Sequence, residues 1–72
     1  MIINSSESHV PTEQGNMFVE MDVEYVLSKD FSVIAYLVAD RECTRLKAGQ
    51  RIKKIKTGNI CSPAEWEVLD AL

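Results

Sequence analysis

The sequence predicts an α+β fold: a small three-stranded antiparallel sheet at 17–72, packed by one short C-terminal helix, behind a flexible N-terminal arm at 1–16. Three observations lead there. Residues 18–27, FVEMDVEYVL, alternate apolar and acidic side chains, which is the period of a half-buried strand. Gly49 and Gly58 bracket eight residues, a length that suits a strand better than a marginal helix. Ser62-Pro63-Ala64-Glu65 supplies an N-cap serine, a proline at the first helical position and a glutamate three residues after the cap.

In chain order, residues 1–16, MIINSSESHVPTEQGN, are polar and without apolar period, so they read as the arm. His9 lies there and reads as a solvated side chain. In 18–27, Val19, Met21, Val23, Tyr25 and Leu27 share one strand face, and Glu20, Asp22 and Glu24 share the other. Ser28-Lys29-Asp30 breaks the chain. Residues 31–39, FSVIAYLVA, read as a second strand, apolar on both faces, paired with the first as a hairpin. Residues 40–50 read as a polar connection with room for one helical turn.

Residues 50–57 make the third strand. Ile52 and Ile55 are three apart, so both point inward only if the strand carries a bulge or a twist. Its lysines suit an edge position, where charge discourages aggregation. The helix over 63–72 presents Trp66, Val68, Leu69 and Leu72 to the sheet, and Trp66 reads as core.

The chain has 72 residues, 46% hydrophobic and 26% charged, with a net charge of −3. That is one small globular domain, too short for a large enzyme fold. The charge is divided along the chain. Residues 1–40 carry −6, residues 41–56 carry +6, and residues 57–72 carry −3. Seven of the eight basic residues fall within 41–56. Such asymmetry points to a charged partner, or else to a domain that neutralises itself.

Cys43 and Cys61 read as reduced, half-buried thiols of a cytoplasmic protein, because no secretory signal pattern opens the chain. No metal site is expected: two cysteines and one histidine lie far apart in sequence, and zinc takes about four ligands. No cofactor is expected either. The longest apolar run, 33–39, is far short of the roughly 20 residues a membrane helix needs. No phosphate-binding glycine loop occurs, and no Ser/His/Asp or Cys/His set falls on rigid elements. The expectation is a protein that is not an enzyme and has no catalytic residues.

Residues 46–72, LKAGQRIKKIKTGNICSPAEWEVLDAL, resemble the second half of a PDZ domain. Leu46, Gly49, Ile52, Ile55, Gly58, Ser62, Glu65 and Leu69 fall at matching places, while Gln50 stands where that family usually has Asp. The resemblance implies a peptide-binding adaptor that works by strand addition, with the strand at 18–27 and the helix at 63–72 flanking the groove. Residues 51–57, Gly58 and 63–72 are also similar to the basic helix, glycine and last helix of small helix-turn-helix regulators. In size and charge layout the chain looks like small phage-encoded transcription regulators that dock on host machinery, RNA polymerase included.

The function expected is therefore a non-enzymatic regulatory protein acting on transcription machinery, RNA polymerase or a nucleoprotein complex. Arg45, Lys47, Arg51, Lys53, Lys54 and Lys56 are the residues expected to meet nucleic acid or a partner, through phosphate contacts that carry no sequence information. Glu20, Asp22 and Glu24 are the acidic face expected to meet a protein. The alternatives are the PDZ-like adaptor and an assembly protein that pairs through its edge strand. A basic edge strand favours a monomer.

Overall fold

Residues 64–69, AEWEVL, alternate with period two: Ala64, Trp66 and Val68 are buried, and Glu65, Glu67 and Leu69 are half-buried. In the computed structural model of the chain this segment is a strand, not the expected helix. The structure describes residues 1–36, 38 and 41–69, with residue 42 described by its backbone. Positions 70–72 of the expected helix, and 37, 39 and 40 of the expected strand and connection, lie outside the described residues.

The described residues form eight strands: β1 (Ile2–Ser5), β2 (His9–Thr12), β3 (Gly15–Phe18), β4 (Glu24–Val26), β5 (Phe31–Ala35), β6 (Glu42–Leu46), β7 (Arg51–Lys56) and β8 (Ala64–Leu69). They make one four-stranded sheet, ordered β1-β8-β7-β4, and two hairpins, β2-β3 and β5-β6. All named pairings are antiparallel. Among the described residues the fold is all-β. The α+β class and the single three-stranded sheet are both corrected.

Local capping chemistry lost to pairing at 62–69. The Ser62 amide donates to Asn59 Oδ1 at 3.0 Å, as does the Cys61 amide at 2.7 Å. The Asn59 amide donates to the Ser62 carbonyl at 2.9 Å. Ser62 therefore closes a turn rather than opening a helix. Beyond it, β8 lies between β1 and β7 and pairs along both edges. A ten-residue helix would depend on one packed stripe. The strand buries three side chains and pairs its backbone on two sides.

The remaining corrections follow from long-range pairing. The arm is part of the fold: Ile3 and Ser5 of β1 and Val10 of β2 are buried. Residues 18–27 are not one strand, because Asp22 takes a left-handed φ of 60° and separates β3 from β4. The expected hairpin between 18–27 and 31–39 does not form: β4 pairs with β7, and β5 with β6. The polar connection at 40–50 contains β6. Strand β7 is interior, between β8 and β4, rather than at an edge. Its register shifts between Lys54 and Lys56, a bulge at Ile55; Ile52 is buried and Ile55 half-buried. Gly49 has a φ of 89° in the turn that joins β6 to β7, where the Gln50 amide donates to the Lys47 carbonyl at 3.1 Å. Glycine takes that conformation without a Cβ penalty.

Backbone bonds tie the hairpins to the sheet. The Ser6 amide donates to the Ile34 carbonyl at 2.8 Å, and the Ser28 amide to the Pro11 carbonyl at 3.0 Å. Thr12 and Leu27 form an isolated bridge. Every strand except β3 has a residue in one buried cluster, β6 through Leu46, and Met17 of β3 packs against its side. Trp66, fully buried, lies in that cluster.

Candidate functional site

Cross-strand partners share a face of the sheet, so the register fixes where the basic residues go. Across the outer face runs the row Ile2, Glu67, Lys53, Glu24, one residue from each strand. The next row holds Leu69, Arg51 and Val26, and the row on the other side holds Asn4, Glu65 and Lys56. Arg51 Nη1 lies 3.4 Å from Glu24 Oε1, and Lys56 Nζ lies 3.4 Å from Glu65 Oε2. Lys53 is held in register between Glu24 and Glu67. Each exposed ion pair contributes no more than about 1 kcal/mol. Together they nonetheless set three cations against three carboxylates on one face.

The six basic residues do not form one patch. Arg51, Lys53 and Lys56 face carboxylates. Arg45 is exposed on β6, with Lys47 just beyond its end; they line a shallow recess that also contains Asp30. Lys54 is opposite the buried Trp66, on the other face from Lys53 and Lys56. The expected acidic face is divided too: Glu24 pairs with Arg51, while Glu20 and Asp22 stand in the β3–β4 connection.

The sequence pattern points to the carboxylates of this segment as a protein-facing surface but puts Met21 and Val23 on the buried face of a strand. Phe18, Met21 and Val23 are 54%, 41% and 40% exposed, and Glu20, Asp22 and Glu24 are exposed among them. Buried Val19 and Tyr25 anchor the segment at both ends. The Glu20 amide donates to Tyr25 Oη at 3.0 Å. The Asp22 amide donates to the Lys54 carbonyl at 3.0 Å, and the Val23 amide to the Glu20 carbonyl at 3.4 Å. Met21 forms a parallel bridge with Lys54. Three apolar and two acidic side chains, Glu20 and Asp22, are thus displayed on a backbone that is already held, while Glu24 is engaged by Arg51. Asp22 was the available signal, since aspartate tolerates left-handed φ better than most residues.

Both cysteines are free and exposed rather than half-buried. His9 is exposed, hydrogen-bonds Ser8 Oγ through Nδ1 at 2.8 Å, and meets the Phe18 ring edge-on at 5.6 Å between centroids. Among the described residues, no group of three His, Cys, Asp or Glu side chains is placed to hold a metal ion. No helix among them is long and apolar enough to cross a membrane. The helix that would flank a PDZ-like groove is strand β8 over its described part.

Comparison of the chain with protein-family models, curated proteins and solved structures yields no match.

Proposed function

We propose that this protein is a non-enzymatic docking module whose segment 18–24 binds a protein surface that is apolar at its centre and basic at its rim. The observation that carries this reading is the held, exposed display of Phe18, Met21 and Val23 beside Glu20 and Asp22. Loops on rigid scaffolds are common binding elements. A segment held in its bound shape loses less conformational entropy on association. Its apolar side chains supply burial at about 25 cal/mol per Å², and its carboxylates supply steering and selectivity toward a basic rim.

The regulatory role on transcription machinery rests on size and charge layout, and it makes RNA polymerase the first partner to try. The nucleic-acid part has less support, because Arg51, Lys53 and Lys56 already face carboxylates. Arg45 and Lys47 are left as its strongest candidates. Strand addition has one observation in its favour: β6 pairs with β5 alone, so its second edge has no strand beside it among the described residues.

The test is site-specific photo-crosslinking in lysate of the source cells. A photoreactive residue at Val23 should capture one protein, unaffected by nuclease, and one at Ser32 should not. Equal labelling from both positions, or loss of the Val23 adduct after nuclease, would overturn the docking reading.

A further inference from the structure

The bulge in β7 gives Lys54 a different role from its neighbours. In a regular strand Lys54 and Lys56 would share a face. With the register shifted between them, Lys56 is opposite Glu65 and Lys54 is opposite Trp66. Lys54 is half-buried and makes no ion pair among the described residues. It lines an open cleft of about 310 Å³ between the β1–β2 link and the β7–β8 connection.

Ser5 Oγ accepts from the Glu7 amide at 3.0 Å and Ser8 Oγ is bonded to His9 Nδ1 at 2.8 Å, while several other polar groups of this cleft have a proton left to donate. Thr57 and Ser62 contribute hydroxyls that have no hydrogen-bond partner among the described residues. Ser6 Oγ accepts from the Tyr36 amide at 2.9 Å, which leaves its own proton to donate. Asn59 Oδ1 accepts from two amides, which leaves its NH₂ group unused and free to donate. The lining residues thus carry one ammonium, five hydroxyls, of which Ser6, Thr57 and Ser62 are used here, and one amide NH₂, against one carboxylate, Glu7.

We infer that this cleft binds the phosphate group of a small phosphate monoester, with Lys54 as its cation and Ser6, Thr57, Ser62 and Asn59 as neutral donors. A tetrahedral oxyanion offers enough acceptor positions for all five groups, and a charged partner strengthens each hydrogen bond. The cleft lies at the small end of the roughly 300–1,000 Å³ typical of ligand pockets, which leaves room for the phosphate and the few atoms that carry it. Glu7 opposes the anion and sets the affinity low. The inference does not depend on docking by segment 18–24, which contacts the Lys54 backbone rather than its ammonium.

The test is an amide NMR titration of the whole chain with inorganic phosphate and, separately, with O-phosphoserine, each against chloride at matched ionic strength. Saturable shifts are expected at Ser6, Thr57, Asn59 and Ser62. Tighter binding of phosphoserine assigns the site to esters; equal binding assigns it to the free ion. Lys54→Met, which keeps the stem over Trp66, should weaken binding at least tenfold without moving the thermal midpoint. Glu7→Gln should tighten binding severalfold. Shifts that match the chloride control, or a Lys54→Met variant that binds like the parent, would overturn the assignment.

Discussion

A Cβ added to Gly58 would stand 2.6 Å from the backbone nitrogen of Ala64. The β7–β8 connection folds back on the start of β8 so closely that no side chain fits between them. Gly58→Ala should therefore destabilise the domain by about 1–3 kcal/mol, the usual cost of overpacking, less the few tenths that alanine recovers from the unfolded chain. Gly49 fails for another reason: its added Cβ would meet nothing within 4 Å, but φ is 89°. Asparagine tolerates such φ better than alanine. Gly49→Asn should thus be milder than Gly49→Ala, whereas Gly58→Asn should be no milder than Gly58→Ala. Urea midpoints of the four variants decide it.

Trp66 is the single tryptophan and is fully buried. Its emission should be blue-shifted in the folded protein and move to the red in one transition on unfolding. Trp66→Ala should cost about 3–5 kcal/mol, comparable with the whole stability of so small a domain, and leave the chain unfolded by circular dichroism. Its indole Nε1 has no hydrogen-bond partner among the described residues. Trp66→Phe removes that orphan donor, offsetting part of the lost volume, and should remain folded.

Lys53→Glu would place a third carboxylate between Glu24 and Glu67 on adjacent strands. Like charges directly opposite are unfavourable by up to about 1 kcal/mol per pair. The variant should lose about 1–2 kcal/mol, with part of it restored by high salt, because the face is exposed and screened. Denaturation at low and high sodium chloride reads this. A loss that salt leaves unchanged would mean that packing, not charge, holds Lys53.

Tyr25→Phe removes the hydroxyl that accepts from the Glu20 amide at 3.0 Å. The loss in stability should be about 0.5–1.5 kcal/mol. Hydrogen exchange should rise at the Glu20 amide and stay unchanged in β8. Protein capture through Val23 should weaken with it, since the segment would then have to be ordered on binding.

Several of these features were legible in the residues. Ile52 and Ile55, three apart, call for a bulge or a twist in the strand, and β7 carries a bulge. Trp66 reads as core and is core. The alternation Ala64, Trp66, Val68 is present in the residues, but the reading followed Ser62-Pro63-Ala64-Glu65, a strong local helix signal, and did not use it. The arm was misread because β1 has few apolar residues. Ile3 becomes core only when β8, more than 60 positions later, pairs beside it. The exposure of Met21 and Val23 was hidden for a similar reason: both fit the buried face of the strand pattern until Asp22 turns the chain.

By itself the sequence determined the charge division, the small size, strand β7 and the buried tryptophan, because composition and short-range spacing act within a few residues. Tertiary structure alone decided that 64–69 is a strand and that Arg51, Lys53 and Lys56 face Glu24, Glu65 and Glu67. It also decided that Lys54 turns away from them. Those outcomes depend on the register between distant strands, and a one-residue shift in register moves every side chain to the other face.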